Sequence, residues 1–167
     1  KSGARFVDLA EIGSYEDGFF NLEVFGKADR VVYLAAYLYH YRRDGSSSVT
    51  SGYNPRLYDQ WQTLYDRMEA IIQSNQLGSE YEAALNNRIA LGILGLGLNI
   101  TVSTQSMGKK VKDIHRIIRQ ERYRKAYKNL PLHYFPIHWK LFYGCARHGF
   151  AFGVYVLLTV IQRIISR

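Results

Sequence analysis

The clearest spacing of apolar positions runs through Leu57, Trp61, Leu64, Met68 and Ile71, in alternating steps of four and three. That spacing draws one stripe along a helix. Asn54-Pro55 just ahead of it supplies a cap and a first helical residue, and Gly78 is its expected stop. Ser79-x-x-Glu82 reads as a capping box that opens a second helix running towards Val102. Within it, Ile89 to Leu98 is apolar on all sides and carries Gly92, Gly95 and Gly97. A helix without a polar face is a buried one, and glycines there let neighbouring backbones come close. Each costs about 1 kcal/mol relative to alanine. Lys109 to Lys128 predicts one amphipathic helix, with Val111, Ile114, Ile117 and Ile118 on its apolar side. After Pro131 and Pro136, Ile137 to Ile165 is rich in aromatics. Its uninterrupted apolar run, Phe150 to Ile161, falls short of the roughly 20 residues a membrane span needs. An interfacial or a core helix is predicted there.

The first fifty residues read differently. Ser14-x-x-Asp17 resembles another capping box, so a helix is predicted from Glu16 to about Ala28, carrying Phe19, Phe20, Leu22, Val24 and Phe25. From Arg30 to Tyr41 the chain turns β-branched and aromatic, which predicts one or two strands across Val31 to Arg42. Asp44-Gly45 and three serines break that run as a loop. The fold class predicted is mainly α with a small β element. There is no internal repeat.

Composition sharpens this in two ways. The 167 residues suffice for a core without staples, and the single Cys145 excludes a disulfide framework or a cysteine-based zinc site. The net charge of +8 is also divided unevenly. Residues 1–108 hold 9 Lys and Arg against 12 Asp and Glu, a net of −3; residues 109–167 hold 13 against 2, a net of +11. A basic third of that kind is expected to meet an anionic surface, lipid headgroups or nucleic acid, or else to be a solvated helix face. The opening Lys-Ser-Gly carries no signal peptide and no initiator methionine, so the chain reads as a piece of a longer protein.

The candidate chemistry lies near the beginning. Glu16 and Asp17 form an acidic pair at a helix start. There a carboxylate is stabilised by free backbone N–H groups, and it is equally suited to take a proton from a hydroxyl. Arg42 and Arg43 follow an aromatic run ending in Tyr41. Planar guanidinium groups match a diphosphate, although a pair at a strand end also serves solubility. The five histidines show no metal spacing; His133 and His138 read as core or surface residues. The helical glycines do not form a phosphate loop, because no strand precedes them.

Together these segments resemble the closing part of the catalytic domain of an inverting family-two glycosyltransferase of the GT-A fold. The likeness is carried by Tyr15-Glu16-Asp17-Gly18-Phe19-Phe20-Asn21-Leu22, then Arg30-Val31-Val32-Tyr33-Leu34, then Leu38-Tyr39-His40-Tyr41-Arg42-Arg43, then Ser47-Ser48-Val49-Thr50. The helical remainder is similar to the C-terminal extensions of bacterial capsule, exopolysaccharide and cell-wall sugar transferases. The resemblance implies that residues 1–52 end a catalytic domain and that residues 53–167 are a basic, aromatic extension able to associate with a membrane. It implies transfer of a sugar from a nucleotide-diphospho-sugar to a glycan or lipid-linked acceptor. Asp17 would be the catalytic base, and Glu16, Tyr41, Arg42 and Arg43 would contact substrate. No Asp-x-Asp occurs in the chain. The Mn or Mg ion of such an enzyme is therefore expected in a parent protein, and the 167 residues are expected to be inactive alone. The resemblance further implies a cytoplasmic enzyme, peripheral at the inner face of the plasma membrane, and leaves self-association open. Nucleic acid is not expected as its partner. The rival reading is a non-enzymatic helical module that binds anionic membrane or nucleic acid through Lys109 to Lys128.

Overall fold

A computed structural model describes residues 3–39 and 52–165. The chain is mainly helical, with eight α-helices and one short 3-10 turn among the described residues. α1 spans Leu9–Ile12, α2 Glu16–Phe25, α3 Leu57–Ser74, α4 Ser79–Thr101, α5 Met107–Ile118, α6 Glu121–Asn129, α7 Ile137–Arg147 and α8 Ala151–Ile165.

α4 is the axis of the bundle: α3, α5, α6 and α8 all pack against it. By length and hydropathy α4 could cross a bilayer; 39% of that apolar window is buried in the bundle, where these four neighbours pack on it. Its glycines are where they press closest. A Cβ on Gly92 would stand 2.4 Å from the Tyr65 hydroxyl, one on Gly95 2.6 Å from the Trp61 ring, and one on Gly97 2.3 Å from Leu158. The close approach predicted from the sequence therefore occurs, made by side chains of α3 and α8 rather than by backbones. The core includes Leu64, Ile93, Leu96, Ile114, Tyr123, Phe142, Val154 and Leu158, and it also takes in Ile12 and Phe19 from the N-terminal segment.

Several local expectations need correction. Neither capping box forms: Gly78 and Tyr15 occupy the cap positions, without a side-chain hydrogen bond. Ser14 instead accepts a hydrogen bond from the Trp61 indole at 3.1 Å. The stop of α3 is not Gly78 but Gln76, which adopts φ +51 while the Leu77 N–H donates to the Ile72 carbonyl. Asn54 caps a turn before α3, accepting from the Arg56 N–H, and its backbone exchanges two 2.8 Å hydrogen bonds with the Asn99 side chain.

The single helix predicted over Lys109 to Lys128 is two, broken at Gln120, whose ψ is 141°. The reason is register. Five residues separate Ile118 from Tyr123, so on a straight helix the apolar stripe would jump by about 140°. The break lets Ile114, Ile117 and Ile118 on α5 and Tyr123, Ala126 and Tyr127 on α6 all reach the core. α6 is then tied to α3 by Arg122, which pairs with Asp66 and Glu69 and donates to Gln62. Burial disfavours that guanidinium's charge, but Asp66 and Glu69 outweigh it, and its pKa is raised.

The small β element predicted over Val31 to Arg42 does not form among the described residues. Residues 30–39 make no strand, and Val31 through Leu34 and Tyr37 through Tyr39 are exposed. Strand geometry needs a neighbouring ladder, and no described segment offers this run one.

Candidate functional site at the start of α2

The acidic pair sits in the first turn of α2. Glu16 is half-buried and Asp17 is exposed. The Gly18 N–H donates to Asp17 Oδ1 at 2.6 Å, so one carboxylate oxygen is held by the open end of the helix. Neither acid forms an ion pair among the described residues.

The residue before the pair is unusual. Tyr15 has φ +74, a left-handed conformation that a bulky side chain adopts at a cost. That backbone turn lays its ring over Gly18, where an added Cβ would come within 2.3 Å of the ring carbons. The Arg88 guanidinium of α4 stands 4.0 Å from the centroid of the Tyr15 ring and 5.1 Å from that of Trp61. Cation–π contact therefore couples α4 to the entry of α2. Gly18 is the residue that leaves room for the ring.

The approach to this turn is fastened by α3. Gln60 donates to the Ala10 carbonyl at 3.0 Å and accepts from the Asn54 side-chain amide at 2.8 Å. Gly13, at φ +75, passes so close that a Cβ would meet Gln60 Oε1 at 2.8 Å. Arg67 pairs with Glu11. Phe6 stacks on Phe20 with ring centroids 4.4 Å apart. Asp17 thus stands on a backbone clamped on either side.

A cavity of about 310 Å³ opens between α2, α3 and α4, bordered by Tyr15, Gly18, Leu22, Tyr81, Leu85 and Arg88. Its wall is mostly apolar with one cation. The Arg88 Nε is buried without a hydrogen-bond partner among the described residues. Asp17 lies within the segment that forms the rim but does not itself line the cavity. A second cavity, about 220 Å³, is bordered by Asn54, Asp59, Asn99, Asp113 and Arg116. Its polar groups largely satisfy one another, Asn54 with Asn99 and Arg116 with Asp113.

Of the residues singled out from the sequence, Glu16 and Asp17 stand together in the first turn of α2, between Tyr15 and Gly18, and neither lines the cavity. Tyr41, Arg42 and Arg43 lie outside the described residues. His133 and His138 are both exposed. The described residues offer no ligand set for a divalent cation, since no three His, Cys, Asp or Glu converge. Sequence reasoning missed Arg88, although it is the sole Lys or Arg between Met68 and Gly108 and sits in an otherwise uncharged stretch of α4.

No family model, curated protein or solved structure matches the chain.

Proposed function

We propose that this chain is the C-terminal part of an inverting glycosyltransferase that moves a sugar from a nucleotide-diphospho-sugar to a hydroxyl on a glycan or lipid-linked acceptor. In the reaction the Asp17 carboxylate takes the proton of the acceptor hydroxyl. The hydroxyl oxygen forms a bond to the anomeric carbon from the side opposite the diphosphate. The carbon–oxygen bond to the diphosphate breaks, the diphosphate leaves with the electron pair, and the configuration inverts. Glu16 borders the acceptor, and Tyr41, Arg42 and Arg43 sit near the diphosphate.

The observation that carries this reading is the state of Asp17. Its carboxylate is exposed, free of ion pairs among the described residues, and held at a helix start by the Gly18 N–H, next to the Tyr15–Arg88 contact. A carboxylate serving only as a cap would not require a strained tyrosine beside it. The exposed apolar run Val31–Tyr39 gives separate support. Such a surface suits a strand whose partner lies in another part of a longer protein. There it would complete the small β element of the GT-A domain.

The test is Asp17→Asn in the full-length enzyme, assayed with a panel of nucleotide sugars. General-base loss is expected to lower kcat by about 10²–10⁴-fold while donor KM is kept. Turnover equal to that of the unaltered enzyme would end the assignment.

A further inference from the structure

Where α6 faces the turn between α7 and α8, five cations surround a cavity of about 620 Å³. They are Arg119, Arg124, Lys125, Lys128 and Arg147, with Glu121 as the one acid. All five are exposed, and none pairs with a carboxylate among the described residues. Arg122, three residues from Lys125, turns away to Asp66 and Glu69 on α3. Like charges gathered round an open cavity repel one another unless an anion joins them.

The same turn carries unpaired apolar surface. Gly149, at φ +77, closes α7, with the Phe150 N–H donating to the Cys145 carbonyl at 2.8 Å. This closure holds Gly149 against Arg119, with Cδ and Nη1 both 3.4 Å from its Cβ position. It also sends Phe150 outward, 56% exposed, with Phe152 50% exposed beside it and their rings 6.5 Å apart. Behind them the outer stripe of α8 continues through Val156, Val160 and Ile164, all exposed. The inner stripe, Ala151, Val154 and Leu158, is already committed to the core.

We infer that this end of the bundle docks on an anionic lipid surface. Phe150 and Phe152 enter the headgroup layer, and the five cations engage lipid phosphates around the Arg119–Arg147 cavity. The occupant follows from charge complementarity joined to apolarity. An isolated anion would satisfy the cations but not the phenylalanines, and a second copy meeting this end face to face would set the same five cations against one another. A lipid headgroup layer supplies phosphate and hydrocarbon at one depth. The inference is independent of the reaction at Asp17.

The experiment is co-sedimentation of the 167-residue chain with vesicles of phosphatidylcholine alone and vesicles of equal parts phosphatidylcholine and phosphatidylglycerol. On the order of tenfold more chain is expected with the anionic vesicles at low salt, the difference shrinking as salt rises. Lys125→Glu with Lys128→Glu should abolish the difference. Phe152→Ser should weaken binding to both vesicle types while keeping the preference for anionic lipid. These positions are exposed, so all variants should retain the parent's thermal midpoint. Three results would each overturn the inference. One is equal recovery from neutral and anionic vesicles. Another is salt-sensitive binding to nucleic acid without vesicle binding. The third is a dimer dissolved by Phe152→Ser in a chain that ignores vesicles.

Discussion

Gly18 is the residue on which the geometry of the acidic pair turns. A methyl at this position overlaps the Tyr15 ring, but that ring is partly exposed and free to swing aside. Gly18→Ala therefore removes a helix-weakening glycine while dislodging the ring from Gly18 and from Arg88. The stability terms oppose one another, each near 1 kcal/mol, so the thermal midpoint is expected to move by less than about 4 °C. If the proposed function holds, turnover in the full-length protein falls by an order of magnitude or more, because Glu16 and Asp17 lose their fixed approach. Thermal unfolding and a rate measured on the same preparation check both halves. Full activity with the ring displaced would mean that the Tyr15–Arg88 contact is only packing.

At the scale of the helix, the end of α3 offers a test of backbone strain alone. Gln76 occupies a left-handed position that glycine fills at no steric cost. Gln76→Gly should raise stability by about 0.5–1 kcal/mol, read as a shift of the urea midpoint at unchanged slope. A lower midpoint would show that unfolded-chain entropy outweighs the relief. This element also marks where the sequence was readable. The stripe Leu57, Trp61, Leu64, Met68 announces α3 because a single face is buried, and the all-round apolar run announces α4. The stop of α3 is not legible in the sequence, because a glutamine in a left-handed turn has no compositional signal, whereas Gly78, two residues on, has one. The helix break at Gln120 was hidden by counting the charges of Lys109 to Lys128 and not the register of Tyr123 and Tyr127. The run from Val31 misled for a different reason. Its β-branched residues record a preference, but pairing is a property of two segments, and the second is not among the described residues. At the candidate site the acidic pair was visible as a motif, whereas the Tyr15, Trp61 and Arg88 assembly joins three helices and has no local trace.

At the scale of the whole molecule, four of the described tyrosines are buried between helices, and their hydroxyls give it a pH dependence. Burial pushes Tyr65 up to about 12, against the opposing pull of Arg88, and pushes Tyr143 up to about 12. Burial also holds Tyr123 and Tyr127 well above the ordinary tyrosine range, reinforced by neighbouring tyrosines. In the unfolded chain all four titrate near the ordinary value of about 10. Below that pH both states keep the protons and the stabilisation is fully present. Above it the unfolded state releases protons that the folded state still holds, so stability falls as pH rises from about 10 through the folded values. The slope is about 1.4 kcal/mol per pH unit for each tyrosine, or roughly 5.5 kcal/mol per unit for four. A domain with a stability of about 5–10 kcal/mol is then expected to unfold between about pH 11 and 12, with the absorbance of the last four of the chain's 14 tyrosinates appearing at the same step. Tyr65→Phe isolates one contributor. Its hydroxyl faces Tyr123 without a hydrogen bond of good geometry, so the variant should match the parent at neutral pH within about 1 kcal/mol. At alkaline pH it should lose stability with a slope shallower by one proton. An unfolding midpoint that stays level to pH 12, or ionisation of all 14 tyrosines before the helices melt, would mean that water reaches these hydroxyls in the folded bundle.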